Sequence, residues 1–254
     1  MSEGFKWLDS GERGGRDFEL DGSRRRVTGA LWLPQQCDAT TPMMLMGHGA
    51  SGDRYQAPIP HLAQRFVAEA GISVLAIDGP VHGLRSVAPG GREAVAVEMR
   101  RSGFVQDMVA DWLDAFQTVC TQANIGKGRL GYFGLSMGTF FGLPLLASRL
   151  EFSTAVIGLA GTSKAGKPIA AELLRAAAEV THPVLFLMQL EDELFPRDGY
   201  LELFDALKSE DKRIHANPGL HPEVPAEEVA HSFDFLRAHL EGPVERSIVN
   251  PLAE

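Results

Sequence analysis

Short uninterrupted runs of apolar residues alternate along the chain with longer segments in which apolar residues recur every three or four positions. The apolar runs lie at 43–46, 73–77, 130–133, 155–159 and 184–188, and a more polar run follows at 213–216. Such runs are typical of strands covered on both faces, as in a parallel sheet. The helical segments lie at 59–70, 105–120, 137–148, 200–208 and 226–240. The alternation predicts an α/β fold with a mostly parallel central sheet and helices on both faces.

The N-terminal part of the chain has a different pattern. Two short strands are expected at 18–20 and 26–33, joined by the turn-forming residues Asp21, Gly22 and Ser23. This arrangement predicts an antiparallel hairpin ahead of the parallel strands. No repeat or linker interrupts the pattern, so residues 1–254 are expected to form a single domain without a large cap domain.

Composition and charge narrow the class of protein. The chain has a formal net charge of −9, and its only compact basic run is Arg24, Arg25 and Arg26. A nucleic-acid partner is not expected, because phosphate binding needs a clustered positive field; the run is read as a solvated edge. Residues 1–15 lack the apolar core of a signal peptide, and no apolar run is long enough to span a membrane. With only Cys37 and Cys120, no disulfide framework is indicated, and the prediction is a cytoplasmic protein without a membrane partner.

The sharpest local motif is the pentapeptide Gly134-Leu135-Ser136-Met137-Gly138, placed between an apolar strand and a helix. A serine on such a turn is lifted out of the sheet, and small neighbours let strand and helix pack around it. The spacing therefore predicts Ser136 as a nucleophile, with the backbone N–H of Met137 as one donor to a developing oxyanion.

A second loop, His48-Gly49-Ala50-Ser51-Gly52, follows the apolar run at 43–46. Its small residues let the backbone approach a substrate, and the N–H of Ala50 is the expected second oxyanion donor. His48 itself is interpreted as a hydrogen-bonded structural residue, since it precedes the nucleophile.

With these motifs the chain resembles the α/β-hydrolase family, in particular its compact serine esterases related to dienelactone hydrolase. The resemblance implies the order nucleophile, acid, base. Asp192, in the loop Gln189-Leu190-Glu191-Asp192-Glu193-Leu194-Phe195-Pro196, falls on the position of the acid, although Gln189 stands where the family often has glycine. His221, in Gly219-Leu220-His221, falls on the position of the base. Asp78 and His82 fall on a loop that usually braces the oxyanion loop.

Alternatives remain open for the acid and the base. Glu191 and Glu193 compete with Asp192, and His215 and His231 compete with His221. His215 is expected inside the last strand and His231 on the closing helix, where packed or surface imidazoles are common.

The function predicted from these residues is hydrolysis of carboxylic esters with small or medium acyl groups, through an acyl-enzyme intermediate and without a cofactor or metal. A thioesterase, an amidase or peptidase, a perhydrolase, or an inactive hydrolase-fold binding protein is the alternative. The partner is a small-molecule ester, and homo-oligomerisation is left open.

Two stretches, 81–101 and 162–180, interrupt the alternation after strand ends and are expected to overhang the pocket. The first contains the turn Pro89-Gly90-Gly91 and four apolar residues that could line an acyl site: Ala94, Val95, Val97 and Met99. The second contains four at helical spacing: Ile169, Leu173, Leu174 and Ala178. The pattern fits a small lid and a helix packed on the core equally well, because periodicity shows which residues are buried and not what they are buried against.

Overall fold

The computed structural model of the protein describes residues 4–88 and 90–245, without the side chain of Arg92. Within these ranges nine strands form one sheet, flanked by seven α-helices. The strands are β1 (Phe5–Trp7), β2 (Arg16–Asp21), β3 (Arg26–Trp32), β4 (Met43–Gly47), β5 (Ser73–Ile77), β6 (Leu130–Leu135), β7 (Phe152–Gly158), β8 (Val184–Gln189) and β9 (Lys212–Asn217). The helices are α1 (Ile59–Ala70), α2 (Gly91–Glu98), α3 (Phe104–Ala123), α4 (Met137–Leu146), α5 (Ala170–Ala177), α6 (Arg197–Ala206) and α7 (Ala226–Glu241).

The strand order in the sheet is β1-β2-β3-β5-β4-β6-β7-β8-β9. The pairs from β1 to β5 are antiparallel, and every pair from β5 to β9 is parallel. The predicted mostly parallel sheet with an N-terminal hairpin is therefore confirmed. The hairpin closes where Asp21 pairs with Arg26 and the N–H of Gly22 donates to the carbonyl of Arg25 at 3.0 Å.

The continuous apolar runs are explained by burial on both faces of the sheet. In β4, Met43 and Leu45 belong to one apolar core, and Met44 and Met46 belong to a second core on the opposite face. Successive side chains of a strand point to opposite faces, so a strand between two helical layers needs apolar residues at every position. The two cores pack against the central strands from both faces. The loops at the carboxyl ends of these strands carry the candidate site residues.

The two stretches that interrupted the sequence pattern each fold into a short 3₁₀ helix followed by an α-helix. The first contains Gly83–Arg85 and α2, and the second contains Lys164–Ile169 and α5; Pro89 lies outside the described residues. Leu173 is fully buried in the core that also contains α4, Leu174 is half-buried, and Ala178 is exposed. Leu173 therefore packs as a core residue, which favours the packed-helix interpretation over a lid.

Candidate active site

Ser136 stands on the sharp turn between β6 and α4, with φ 58° and ψ −119°. A non-glycine residue with positive φ is strained by about 1–3 kcal/mol and persists only where its surroundings hold it. Here the N–H of Ser136 donates to the carbonyl of Gly158 at 2.9 Å, and the Ser136 carbonyl accepts from the N–H of Thr139 at 2.8 Å. The sequence motif thus folds into a turn that presents the serine side chain above the sheet.

The glycines of the motif let this turn pack against its neighbours. A Cβ atom on Gly138 would lie 2.5 Å from the carbonyl oxygen of Gly47, and one on Gly134 would lie 2.7 Å from the ring of Tyr132. Both distances are shorter than real Cβ contacts. Only glycine at these two positions allows α4 to start directly against β4 and β6.

The structure brings Ser136, His221 and Asp192 together from three separate loops. The Oγ of Ser136 lies 2.9 Å from Nε2 of His221, and Nδ1 of His221 lies 2.8 Å from Oδ2 of Asp192. In the tautomer that satisfies both contacts, Nδ1–H donates to the carboxylate and Nε2 accepts the serine hydroxyl proton. The side chain of Asp192 is fully buried and that of His221 is 13% exposed, so solvent competes little for either hydrogen bond.

The surroundings of Asp192 keep its carboxylate ionised. Burial acts to raise its pKa, but the hydrogen bonds from His221, Tyr200 and the N–H of Phe195 outweigh burial and lower the pKa below its ordinary value. The N–H groups of Leu194 and Phe195 donate to Oδ1 at 2.8 and 2.9 Å, and the hydroxyl of Tyr200 donates to Oδ2. An ionised, immobile carboxylate can orient the imidazole of His221 and stabilise its protonated form.

The two glutamates that compete with Asp192 in the sequence hold the backbone of the histidine loop instead. A carboxylate oxygen of Glu193 accepts from the N–H of His221 at 3.0 Å, and one of Glu191 accepts from the N–H of Gly219 at 2.5 Å. Gln189 is buried and donates from Nε2 to the carbonyl of Glu223 at 2.6 Å. The loop that carries Asp192 is thereby tied to the loop that carries His221.

The rival histidines lie outside this arrangement. Nδ1 of His215 is 2.8 Å from a carboxylate oxygen of Glu228, and its ring packs against that of His231. Neither ring is hydrogen-bonded to Ser136 in the described part of the chain.

The expected oxyanion donors stand on neighbouring loops. β4 and β6 are paired so that Gly47 lies opposite Gly134, and the loops carrying Ala50 and Met137 leave the same edge of the sheet. Met137 begins α4, so its N–H belongs to the first helical turn, where amides have no intrahelical acceptor. Both residues therefore lie at the end of the sheet that carries Ser136.

His48 fixes the peptide that carries the Ala50 N–H. Its Nε2 accepts from the N–H of Gly79 at 2.7 Å, so the proton is on Nδ1, which donates to the carbonyl of Gly49 at 2.7 Å. Burial lowers the pKa of His48 to about 4, which keeps the ring neutral. Because a peptide unit is planar, holding the Gly49 carbonyl also sets the direction of the N–H of Ala50.

Further hydrogen bonds hold the loop that carries Ala50. Nε2 of His82 lies 3.1 Å from the carbonyl of Ala50, and Gln56 accepts from the N–H of Gly49 at 2.7 Å. Asp78 is buried and accepts from Thr28 and Arg54 at 2.6 and 3.0 Å. His82 therefore holds the loop that carries Ala50 and Asp78 holds Arg54, and among the described residues neither is hydrogen-bonded to Ser136, His221 or Asp192. Sequence reasoning missed Gln56 and Tyr200, since no local motif announces either one.

A narrow apolar cleft of about 10 Å³ lies beside Met137, between α4 and the first irregular stretch. Its apolar wall consists of Val95, Met99, Phe104, Met137, Phe140 and Phe141. Pro80, His82 and Glu98 complete the lining. Of the residues predicted for an acyl site, Val95 and Met99 line this cleft, Ala94 is buried and Val97 is 60% exposed.

Two other features are absent from the residues that the structure describes. No helix there is both long and apolar enough to cross a membrane. Among the same residues, no cluster of three His, Cys, Asp or Glu side chains has the arrangement needed to hold a metal ion.

The fold is α/β, and its loops bring a serine, a histidine and an aspartate together in one hydrogen-bonded chain. No protein-family model and no curated protein sequence matches the chain. Among solved structures, a cold-adapted esterase from an Arctic intertidal metagenomic library is 30% identical, with a TM-score of 0.76, over 92% of this chain and 99% of that one. The chain belongs to the α/β-hydrolase family.

More distant structures share the fold alone. Acetyl xylan esterase from Paenibacillus sp. R4 is 15% identical, with a TM-score of 0.72, over 92% of this chain and 88% of that one. Acylaminoacyl peptidase from Pyrococcus horikoshii is 16% identical, with a TM-score of 0.71, over 97% of this chain and 44% of that one.

Proposed function

We propose that the protein is a serine esterase that hydrolyses carboxylic esters of small or medium acyl groups. Ser136 is the nucleophile, His221 the general base and Asp192 the acid that orients it. The observation that carries the proposal is the continuous hydrogen-bond chain from Ser136 Oγ through both nitrogens of His221 to Asp192, at 2.9 and 2.8 Å. The esterase at 30% identity supports ester hydrolysis as the reaction.

In the first half of the reaction, Oγ of Ser136 attacks the ester carbonyl carbon while Nε2 of His221 takes the hydroxyl proton. The carbonyl oxygen becomes an oxyanion that accepts hydrogen bonds from the N–H groups of Ala50 and Met137. The imidazolium then gives its proton to the departing alkoxide, and an acyl-serine remains.

In the second half, His221 takes a proton from a water molecule, whose oxygen attacks the acyl carbon. The same two N–H groups hold the second oxyanion, and the proton on His221 returns to Ser136 as the acid leaves. Asp192 stays ionised throughout, because the hydrogen bonds described above hold its pKa low.

The apolar wall beside Met137 is the proposed contact surface of the acyl group, because Met137 directly follows Ser136. Thioesters, amides and peracid formation pass through related oxyanions, so the same residues could serve a thioesterase, peptidase or perhydrolase. The peptidase structure is too distant in sequence to carry its activity to this chain. The complete hydrogen-bond chain argues against an inactive binding module, which has no need of it.

Hydrolysis of p-nitrophenyl esters of rising acyl length, beside a thioester and an anilide, tests the proposal. The ester of best length is expected to react fastest, and Ser136→Ala or His221→Ala is expected to lose about a thousandfold or more in kcat. Asp192→Asn is expected to lose less kcat than either of these variants. Preference for the thioester or anilide would contradict the proposed bond class, and full activity of Ser136→Ala would contradict the mechanism. A single domain over residues 1–254, a cytoplasmic location and the absence of a nucleic-acid partner remain predictions.

A further inference from the structure

Tyr200 is a buried tyrosine whose hydroxyl reaches the carboxylate of Asp192. It lies on α6, and its fully buried ring packs against the rings of Phe186 and Phe195, with 6.2 Å between centroids in each pair. The hydroxyl donates to Oδ2 of Asp192. Burial, followed by this hydrogen bond, raises the pKa of Tyr200, so the hydroxyl keeps its proton and remains a donor.

The hydrogen bond from Tyr200 is made to the same oxygen that faces His221. Oδ2 of Asp192 lies 2.8 Å from Nδ1 of His221, whereas Oδ1 accepts from the N–H groups of Leu194 and Phe195. A carboxylate has about four lone-pair positions, divided equally between its oxygens. Each oxygen of Asp192 therefore has its full set of donors, and Tyr200 and His221 share Oδ2.

Two donors on one carboxylate oxygen weaken each other's electrostatic attraction. The hydroxyl of Tyr200 draws negative charge from Oδ2, so this oxygen attracts a protonated imidazole less strongly than it would without the hydroxyl. The attraction of Asp192 is what favours the protonated form of His221. The side chain of Asp192 is fully buried, so water does not replace the hydroxyl freely. Removing the hydroxyl is therefore expected to stabilise protonated His221.

Other charged groups near His221 and Asp192 lie on exposed residues. The carboxylates of Glu191, Glu193 and Glu223 accept from backbone N–H groups of the histidine loop. Lys164 donates to the carbonyl of Glu193 at 3.3 Å, and Arg197 on α6 donates to a backbone carbonyl at 3.4 Å. The helix α4, which begins directly after the nucleophile, contains no titratable side chain. Salt screens exposed charges far more than buried ones, which separates their influence from that of Tyr200.

We propose that Tyr200 is a positioning residue for the esterase reaction, because its hydroxyl limits the negative charge that Asp192 presents to His221. His221 then becomes neutral, and able to accept the serine proton, at a lower pH than it would beside Asp192 alone. The inference rests on the proposed esterase function, since it gives Tyr200 a part in activating Ser136. The hydroxyl of Tyr200 keeps its proton throughout the reaction and does not contact the reacting atoms.

Tyr200→Phe tests the proposal, because it removes the hydroxyl and keeps the buried ring. The measurement is kcat/KM for a neutral p-nitrophenyl ester along the acid limb of the pH profile. The midpoint of this limb is expected to lie about 0.5 to 1 pH unit higher in the variant than in the wild type. Relative to its own plateau, the variant then loses about threefold to tenfold in activity below the midpoint.

Tyr55→Phe is the matched control. The hydroxyl of Tyr55 donates to a carboxylate oxygen of Asp17 at 2.6 Å, so this variant loses the same kind of hydrogen bond at a carboxylate that has no contact with His221 in the described chain. Its midpoint is expected to equal that of the wild type. The difference between Tyr200→Phe and the wild type is expected to persist at raised salt, and its disappearance would contradict a buried origin.

An NMR titration of the His221 ring without substrate tests the same point independently of activity. The signal is assigned from its absence in His221→Gln, and its midpoint is expected to rise in Tyr200→Phe by the same amount as the kinetic midpoint. An unchanged or lower midpoint, or an equal shift in Tyr55→Phe, would overturn the proposal even if Tm falls. Failure of the esterase proposal is seen separately, because no ester would then be hydrolysed while the titration is still measured.

Discussion

Substituting Gly138 by alanine tests whether the approach of α4 to β4 sets the geometry of the oxyanion site. The added Cβ would lie 2.5 Å from the carbonyl oxygen of Gly47 and 3.0 Å from its carbonyl carbon. Both atoms are backbone, so neither can rotate away as a flexible side chain would. The start of α4 must move by about half an ångström for the oxygen contact to relax to 3.0 Å.

The displacement has two consequences of different size. Forcing an extra methyl group into a packed region costs about 1–3 kcal/mol of the free energy of unfolding, which lowers Tm by about 2–12 °C for a protein of this length. The movement also shifts the N–H of Met137 relative to that of Ala50. Since complete loss of one oxyanion donor costs about 100-fold to 1,000-fold in kcat, a partial displacement is expected to cost about 10-fold to 100-fold.

Gly128→Ala is the matched control for the first consequence alone. Gly128 precedes β6, at the end of the sheet opposite Ser136, and its Cβ would meet the backbone carbonyl oxygens of Thr40 and Thr41 at 2.3 and 2.5 Å. Both variants are assayed by thermal unfolding and by kcat for the best p-nitrophenyl ester at a temperature where both are folded. The value of kcat is expected to fall far more in Gly138→Ala than in Gly128→Ala. Wild-type kcat in Gly138→Ala, or equal losses in the two variants, would refute the reasoning.

Two further predictions concern stability. Leu173→Ala is expected to lower the free energy of unfolding by about 2–5 kcal/mol because Leu173 is fully buried, with acyl-length preference unchanged; a changed preference at nearly unchanged Tm would instead support a lid. The pKa of His48 is lowered from 6.5 to about 4, so the unfolded chain binds more protons between these values. The contribution of neutral His48 to the free energy of unfolding is complete above pH 6.5 and is lost as the pH falls towards 4. Between pH 7 and 4.5, the free energy of unfolding measured in urea is expected to decline less in His48→Gln than in the wild type. An equal decline in the two proteins would contradict this explanation.

The sequence predicted the parallel part of the fold closely because burial on both faces leaves a clear pattern. The predicted strand at 73–77 and helix at 59–70 coincide with β5 and α1, which ends at Gly71 with φ 63°. β1 was missed, since three residues are too short for any alternation to show. It is held by tertiary contacts, including the packing of Phe5 and Trp7 around Phe18.

For the site, a local motif indicated Ser136, the resemblance to the α/β-hydrolase family implied Asp192 and His221, and the structure brings these three side chains together. Their catalytic roles, with those of Ala50 and Met137, stay predictions. The supporting contacts from Gln56 and Tyr200 could not be predicted, because no local motif marks either side chain.

The most direct test of the central claim is covalent labelling with a fluorophosphonate, followed by mass spectrometry of the intact chain and of its peptides. A serine activated by His221 attacks the phosphorus and leaves a stable adduct. The account predicts a single adduct, located on Ser136, that is absent from Ser136→Ala and forms much more slowly in His221→Ala, whereas His215→Ala reacts as the wild type does. An adduct on another residue, or labelling of Ser136→Ala at the wild-type rate, would contradict it.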